Sequence, residues 1–192
     1  SISNWGTVST LSFAAGGAAM SLPAGITSDG TNIYVANSGG SNIVKIDLTA
    51  SPYTASEYAG PNLLAGDPLK ITFSAPTAIT CASSMLYVGD NLRLYAIDMS
   101  APSADSLSLT SGLTDLVCYN STTLFGVRDN CIYKYYFFSG AWNESSTVIN
   151  YMGPFFGMVF VGTDLYASRA SSTYAQVVTN LTSDALAFAD FA

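Results

Sequence analysis

An all-β fold built from four copies of one four-stranded antiparallel unit is predicted by three observations. A pair of short strands joined by a turn recurs four times in the same register. An apolar strand precedes each pair, and a further strand follows the first three. No window sustains a 3.6-residue apolar period, and turn residues interrupt the chain every 6 to 10 positions.

The pairs are IYVANSGGSNIVKID (Ile33 to Asp47), LYVGDNLRLYAID (Leu86 to Asp98), LFGVRDNCIYKYY (Leu124 to Tyr136) and the weaker LYASRASSTYAQVV (Leu165 to Val178). The aromatic residue of the first strand falls at Tyr34, Tyr87, Phe125 and Tyr166, at spacings of 53, 38 and 41. The second strand begins at Asn42, Arg93, Cys131 and Thr173. The long first spacing reflects an inserted loop between Pro61 and Pro76. The preceding strands lie in PAGITSDG, PTAITCAS, LTDLVCYNS and FFGMVFVGT, and the following strands in TASEYAG, DSLSLTSG and SSTVINYMG. The inner strands are apolar, as burial on both faces requires, and the outer strand is polar, as an edge requires.

Four-stranded units at a period near 40 residues are the mark of β-propeller blades. The units span approximately residues 23–60, 76–112, 113–153 and 155–192 of a single domain, 1–192. Three arrangements are open: a closed four-bladed ring, a fragment of a larger propeller, or an arc that closes or polymerises through its ends. The closed ring is preferred, with Thr7 to Ser12 as a closing or exchanged strand. The tail Asp184 to Phe191 is an alternative source for the outer strand of the last blade, which would free the N-terminal strand to pair elsewhere.

Pro23, Gly25, Ile26, Asp29, Gly30, Tyr34, Val35, Ala36, Asn37, Ile43, Lys45 and Ile46 form a unit that resembles the NHL-type propeller repeat. The second unit keeps Pro76, Ile79, Tyr87, Val88, Asp90, Ile97 and Asp98, and the last two drift from the pattern. The resemblance implies a propeller, usually of about six blades, and says little of function, because propellers host many activities. Its enzymatic members imply histidine-dependent lyases or lactonases with a channel calcium.

Composition argues against most chemistry. Histidine is absent, which removes the lyase type and any structural zinc site of the usual kind. Only 10% of residues are charged, and the net charge is −7 with six scattered basic residues. Nucleic acid needs a clustered basic footprint, so no nucleic-acid partner is expected, and anionic membranes are disfavoured likewise. No apolar run approaches the roughly 18 residues of a membrane span. A channel calcium needs converging carboxylates, and Asp115 is the acid predicted within an inner strand. No cofactor is expected.

The turns between the two middle strands supply Asn37, Asp90, Arg128, Asp129 and Arg169, which would gather on one face as a ligand-binding rim. The plainer reading makes the Asn and Asp residues simple turn formers. Leu63, Leu64 and Leu69 lie in the inserted loop on the same face, either as a binding element or as a cap. Tyr133 and Tyr135 should point one way, into the packing between blades, with Tyr136 and Phe138 outward. Cys81 and Cys118 occupy matching inner-strand positions. A disulfide between them is compatible with the roughly 7 Å that Cα atoms must approach, while Cys131 is expected to stay apart from both.

The expected function is that of a secreted, non-enzymatic scaffold, extracellular or at the cell surface, binding protein or carbohydrate at its loop face. A structural subunit of an extracellular filament or surface layer, self-associating through its N-terminal strand, is the alternative. A calcium-dependent, lactonase-like hydrolase is the second.

Overall fold

Short turns, several of them held by residues with positive φ, cut the chain into strands. Asp129 and Asn130 (φ 50° and 63°) make one such turn, and Ser139 with Gly140 (φ 52° and 79°) makes another. Paired positive φ values match the twist of a two-residue hairpin. The computed structural model describes residues 17–150, 155–169, 176–179 and 187–190.

The described strands form four antiparallel sheets, each a meander. Blade one holds β1 (Pro23–Ser28), β2 (Asn32–Asn37), β3 (Asn42–Asp47) and β4 (Thr54–Ala59). Blade two holds β5 (Ala78–Ala82), β6 (Met85–Gly89), β7 (Arg93–Asp98) and β8 (Ser103–Ser108). Blade three holds β9 (Asp115–Asn120), β10 (Thr123–Arg128), β11 (Cys131–Phe138) and β12 (Ala141–Asn150). Blade four holds β13 (Phe155–Val161), β14 (Asp164–Arg169), β15 (Gln176–Thr179) and β16 (Ala187–Asp190). The repeat register is exact in the pairing: Tyr34 lies opposite Thr27, Tyr87 opposite Thr80, Phe125 opposite Val117 and Tyr166 opposite Val159.

The inner strands stand side by side, β1 next to β5, β5 next to β9, and β9 next to β13. Between them run three apolar seams. Tyr34, Ala36 and Ile43 meet Ile79, Leu86, Val88 and Ile97 between blades one and two. Tyr87, Leu94 and Ala96 meet Leu116, Leu124, Tyr135 and Trp142 between blades two and three. Phe125, Val127 and Ile132 meet Phe155, Leu165 and Ala167 between blades three and four. Tyr135 is fully buried with Tyr133 packed beside it, and Phe138 is exposed, as strand alternation requires.

The connector before a blade also enters the seam. Leu69 and Phe73 do so before blade two, and Leu109 and Leu113 before blade three. Leu113 is admitted by two glycines. A Cβ on Gly126 would stand 2.6 Å from Leu113 Cδ2, and one on Gly89 would stand 2.8 Å from Leu113 Cβ. Fully burying a side chain of this size stabilises by roughly 1.5–3 kcal/mol.

Every hydrogen-bonded strand pair described lies within one blade. The outer strand of blade four comes from the tail, Ala187–Asp190. Thr7 to Ser12, expected as a closing strand, lie outside the described residues, as does Thr173.

Candidate binding face

The turns after the second strand of blades one to three and the connectors that enter these blades share one face. Asn37 ends β2 and is fully buried. Its Oδ1 accepts the N–H of Ser21 at 2.5 Å, and its Nδ2 donates to the Ala19 carbonyl at 3.1 Å and to Asn42 Oδ1 at 2.7 Å. Asp90, at the equivalent position in blade two, is 4% exposed. Its carboxylate accepts the N–H of Ser74 at 2.9 Å and of Ala75 at 2.6 Å. Both side chains thus pin the connector that precedes their own blade.

Arg128 holds this position in blade three and is also 4% exposed. It donates from Nη2 to Glu144 Oε1 at 2.7 Å, and its guanidinium lies 4.0 Å over the Tyr133 ring. Its Nε and Nη1 are buried without a partner among the described residues. Asp129, exposed, accepts the hydroxyl of Ser111 from the connector. Arg169 ends β14 opposite Phe155, and its side chain lies outside the described residues. Three of the expected rim residues, Asn37, Asp90 and Arg128, therefore turn inward, the first two bracing connectors and the third bonding within its own blade.

The inserted loop is built on a carboxylate. Glu57 accepts the Asn42 side-chain amide at 2.8 Å, the N–H of Asn62 at 2.9 Å and the Asn62 side-chain amide at 2.8 Å. Burial works to raise its pKa, and the bonds from Asn62 and Asn42 overcome it, holding the group below the usual range. The N–H of Gly60 donates to the Leu69 carbonyl at 3.1 Å, and Lys70 Nζ donates to the Leu63 carbonyl at 2.6 Å. Leu69 is buried, Leu63 is partly buried against the same seam, and Leu64 is 84% exposed. The loop is thus a cap through Leu69 and Phe73, and it holds one leucine out in water. Phe73 was not singled out by sequence. The signal in the sequence is an aromatic residue within the inserted loop, three positions before Pro76.

Asp115, the inner-strand acid, accepts the N–H of Met158 across the third seam at 2.6 Å. Burial raises its pKa, with the N–H groups of Met158 and Leu116 opposing. Among the described residues, no group of three His, Cys, Asp or Glu side chains is placed to hold a metal ion.

Cys81 and Cys118 are thiols in this structure, and the disulfide that their spacing would allow is not formed. Cys81 bonds instead to β1 of the neighbouring blade, and Cys118 within its own strand. Cys81 Sγ donates to the Ser28 carbonyl at 3.0 Å, and Cys118 Sγ donates to the Asn120 carbonyl at 2.9 Å. Burial, and then the neighbouring Cys81, push the Cys118 thiol up to about 12, so it is inert at neutral pH.

No protein-family model matches the chain, and no curated protein matches it. Solved structures do. The chain is similar to the computationally designed Ika4 protein at 11% identity and a TM-score of 0.61, over 89% of this chain and 98% of that one. It is similar to the Cps50 (Swd1) β-propeller domain of Myceliophteria thermophila at 14% identity and a TM-score of 0.58, over 77% of this chain and 52% of that one. A chain of a nidogen/laminin complex matches at 15% identity and a TM-score of 0.63, over 87% of this chain and 62% of that one. The chain thus spans nearly all of the designed protein and less than two thirds of the other two. At these identities the likeness is one of fold, and the fold is that of a β-propeller.

Proposed function

We propose that this chain is a secreted, non-enzymatic propeller of NHL-like repeat type whose loop face binds protein or carbohydrate, with the inserted loop as its main contact. The observation that carries the reading is the state of Leu64. The loop around it is pinned at Glu57, Gly60 and Lys70 and plugged into the first seam by Leu69, yet Leu64 stays 84% exposed. A braced loop that presents an apolar side chain loses little entropy when a partner covers it. A similar chain occurs in a nidogen/laminin complex, which supports a protein partner. The non-enzymatic part is supported by Asp115, whose carboxylate already accepts a backbone N–H in a seam.

The test screens wild type, Leu64→Ala and Leu64→Asp against secreted proteins and a glycan array. The interactions of the wild type should weaken at least about tenfold in Leu64→Asp, an effect of about 1.4 kcal/mol, while the melt is unchanged. Retention of every interaction in both variants would remove the loop from its role. A melt raised by calcium and lowered by a chelator would overturn the non-enzymatic reading in favour of the lactonase-like hydrolase.

A further inference from the structure

Each internal seam joins a trailing face, turned toward the next blade, to a leading face, turned toward the one before. On the inner strand the leading face is marked by Ile79, Leu116 and Met158, which lie opposite Val88, Gly126 and Ala167. Ile79 is 7% and Leu116 is 2% exposed, and Met158 packs into the third seam. The residue at this register in blade one is Ile26, opposite Val35, and it is 68% exposed.

The trailing face shows the converse. Val117, opposite Phe125, packs into the third seam together with Tyr119. The matching residue of blade four is Val159, opposite Tyr166, and it is 55% exposed, with Val161 beyond it at 61%. Around Val159 the sheet leaves an open hollow of about 280 Å³ lined by Gly157, Met158, Val159, Tyr166, Ala167 and Ser168.

Blade one is otherwise prepared as half of a seam. Its connector residue Ala18 packs with Val35, Val44, Ile46 and Ala55, as Leu109 and Leu113 pack before blade three. The part left open is the inner strand, which is where neighbouring blades abut in every internal seam. Neither β1 (PAGITS) nor β13 (FFGMVFV) carries a charged side chain, so contact between them desolvates no ion.

We infer that the trailing face of blade four binds the leading face of blade one of a second copy of this chain, with β13 of one copy against β1 of the other. The two halves of one repeated interface lie on the first and the last blade, and both are exposed among the described residues. A contact of that kind is heterologous: it closes a ring of copies or continues as a filament. It is independent of ligand binding at the loop face, since Leu64 lies in neither half.

Light scattering on the full chain across the micromolar range tests this. The mass should rise with concentration to that of two chains or more. Val159→Asp and Ile26→Asp should each weaken association at least about tenfold, because each buries an uncompensated charge in the contact. Val161→Asp serves in place of Val159→Asp if that variant melts early. An equimolar mixture of the two variants decides the geometry. Each keeps one intact half, so the mixture should recover a one-to-one complex that neither forms alone. A wild type that is monomeric at every concentration overturns the inference, whether it closes on itself or stays open. So does an Ile26→Asp variant that self-associates as well as the wild type, which would indicate a symmetric pairing of blade-four faces.

Discussion

Asp90 and Arg128 occupy the same place in consecutive blades and do opposite things. Asp90 accepts two backbone N–H groups and so ties the connector before blade two to the end of β6. Arg128 has only donors to offer. It bonds within its own blade, to Glu144 and over Tyr133, and two of its nitrogens have no partner among the described residues. The duty of holding the connector passes one residue along, to Asp129, which receives the Ser111 hydroxyl. What the architecture demands at this corner is an acceptor for the incoming connector. The repeat fixes where it is needed, and the residue that supplies it varies.

If the Asp90 corner exists to seat the connector, the largest effect should follow from emptying the seat. Phe73 is 2% exposed and packs edge-on against Tyr95 with ring centroids 5.0 Å apart. Phe73→Ala should destabilise by about 3–5 kcal/mol in a denaturant titration. A loss below about 1 kcal/mol would mean the connector is not part of the core. Asp90→Ala, which leaves Phe73 in place and removes its tether, should cost less, about 2 kcal/mol. Ser74 is exposed, so water recovers part of the lost bonding.

The four units and their meander order were legible in the sequence, because each strand's alternation and turn chemistry is a local property. Tyr34, Tyr87, Phe125 and Tyr166 fall in one register, and the tail segment Asp184 to Phe191 contains the strand Ala187–Asp190. The destination of the turn residues was less legible. Asn37 and Asp90 read equally as a polar rim or as turn formers, and the choice depends on whether a connector distant in sequence passes within reach. Sequence spacing put Cys81 and Cys118 at one height on neighbouring strands. It carried no information on the backbone carbonyls of Ser28 and Asn120, to which the two thiols donate.

The blade-three corner should respond with a different sign. Arg128 is buried, its partner Glu144 is 29% exposed, and two of its nitrogens are unmatched. Replacing such a group by an apolar side chain of similar length removes a desolvation penalty along with the ion pair. Arg128→Met should therefore fall within about 1 kcal/mol of wild type, on either side, in the same titration. A loss as large as that of Asp90→Ala would show that the guanidinium holds the corner after all. Asp129→Ala should cost about 0.5–1 kcal/mol, as expected for one exposed hydrogen bond.

The smallest effect concerns a turn carboxylate that is exposed where Asp90 is buried. Asp29 lies between β1 and β2 and accepts the N–H groups of Thr31 and Asn32 at 2.8 and 2.6 Å, the Asn32 amide at 3.0 Å and the Tyr34 hydroxyl at 3.0 Å. Burial works to raise its pKa. The bonds from Asn32, then Thr31 and Tyr34, outweigh it and lower the value from 3.8 to about 2. A depressed folded-state pKa means that the native protein favours the ionised form. The stabilisation is therefore complete above the unfolded value, 3.8, and drains away as pH falls through about 2. In Asp29→Asn the side chain does not titrate, so this part of the acid limb is missing. The stability gap between wild type and variant, read by urea titration, should be constant above about pH 5 and should narrow toward pH 2. Solvent screening at so exposed a site keeps the gap under about 1 kcal/mol. A gap that held steady or widened with acid would place the contribution of Asp29 in the geometry of its turn rather than in its charge.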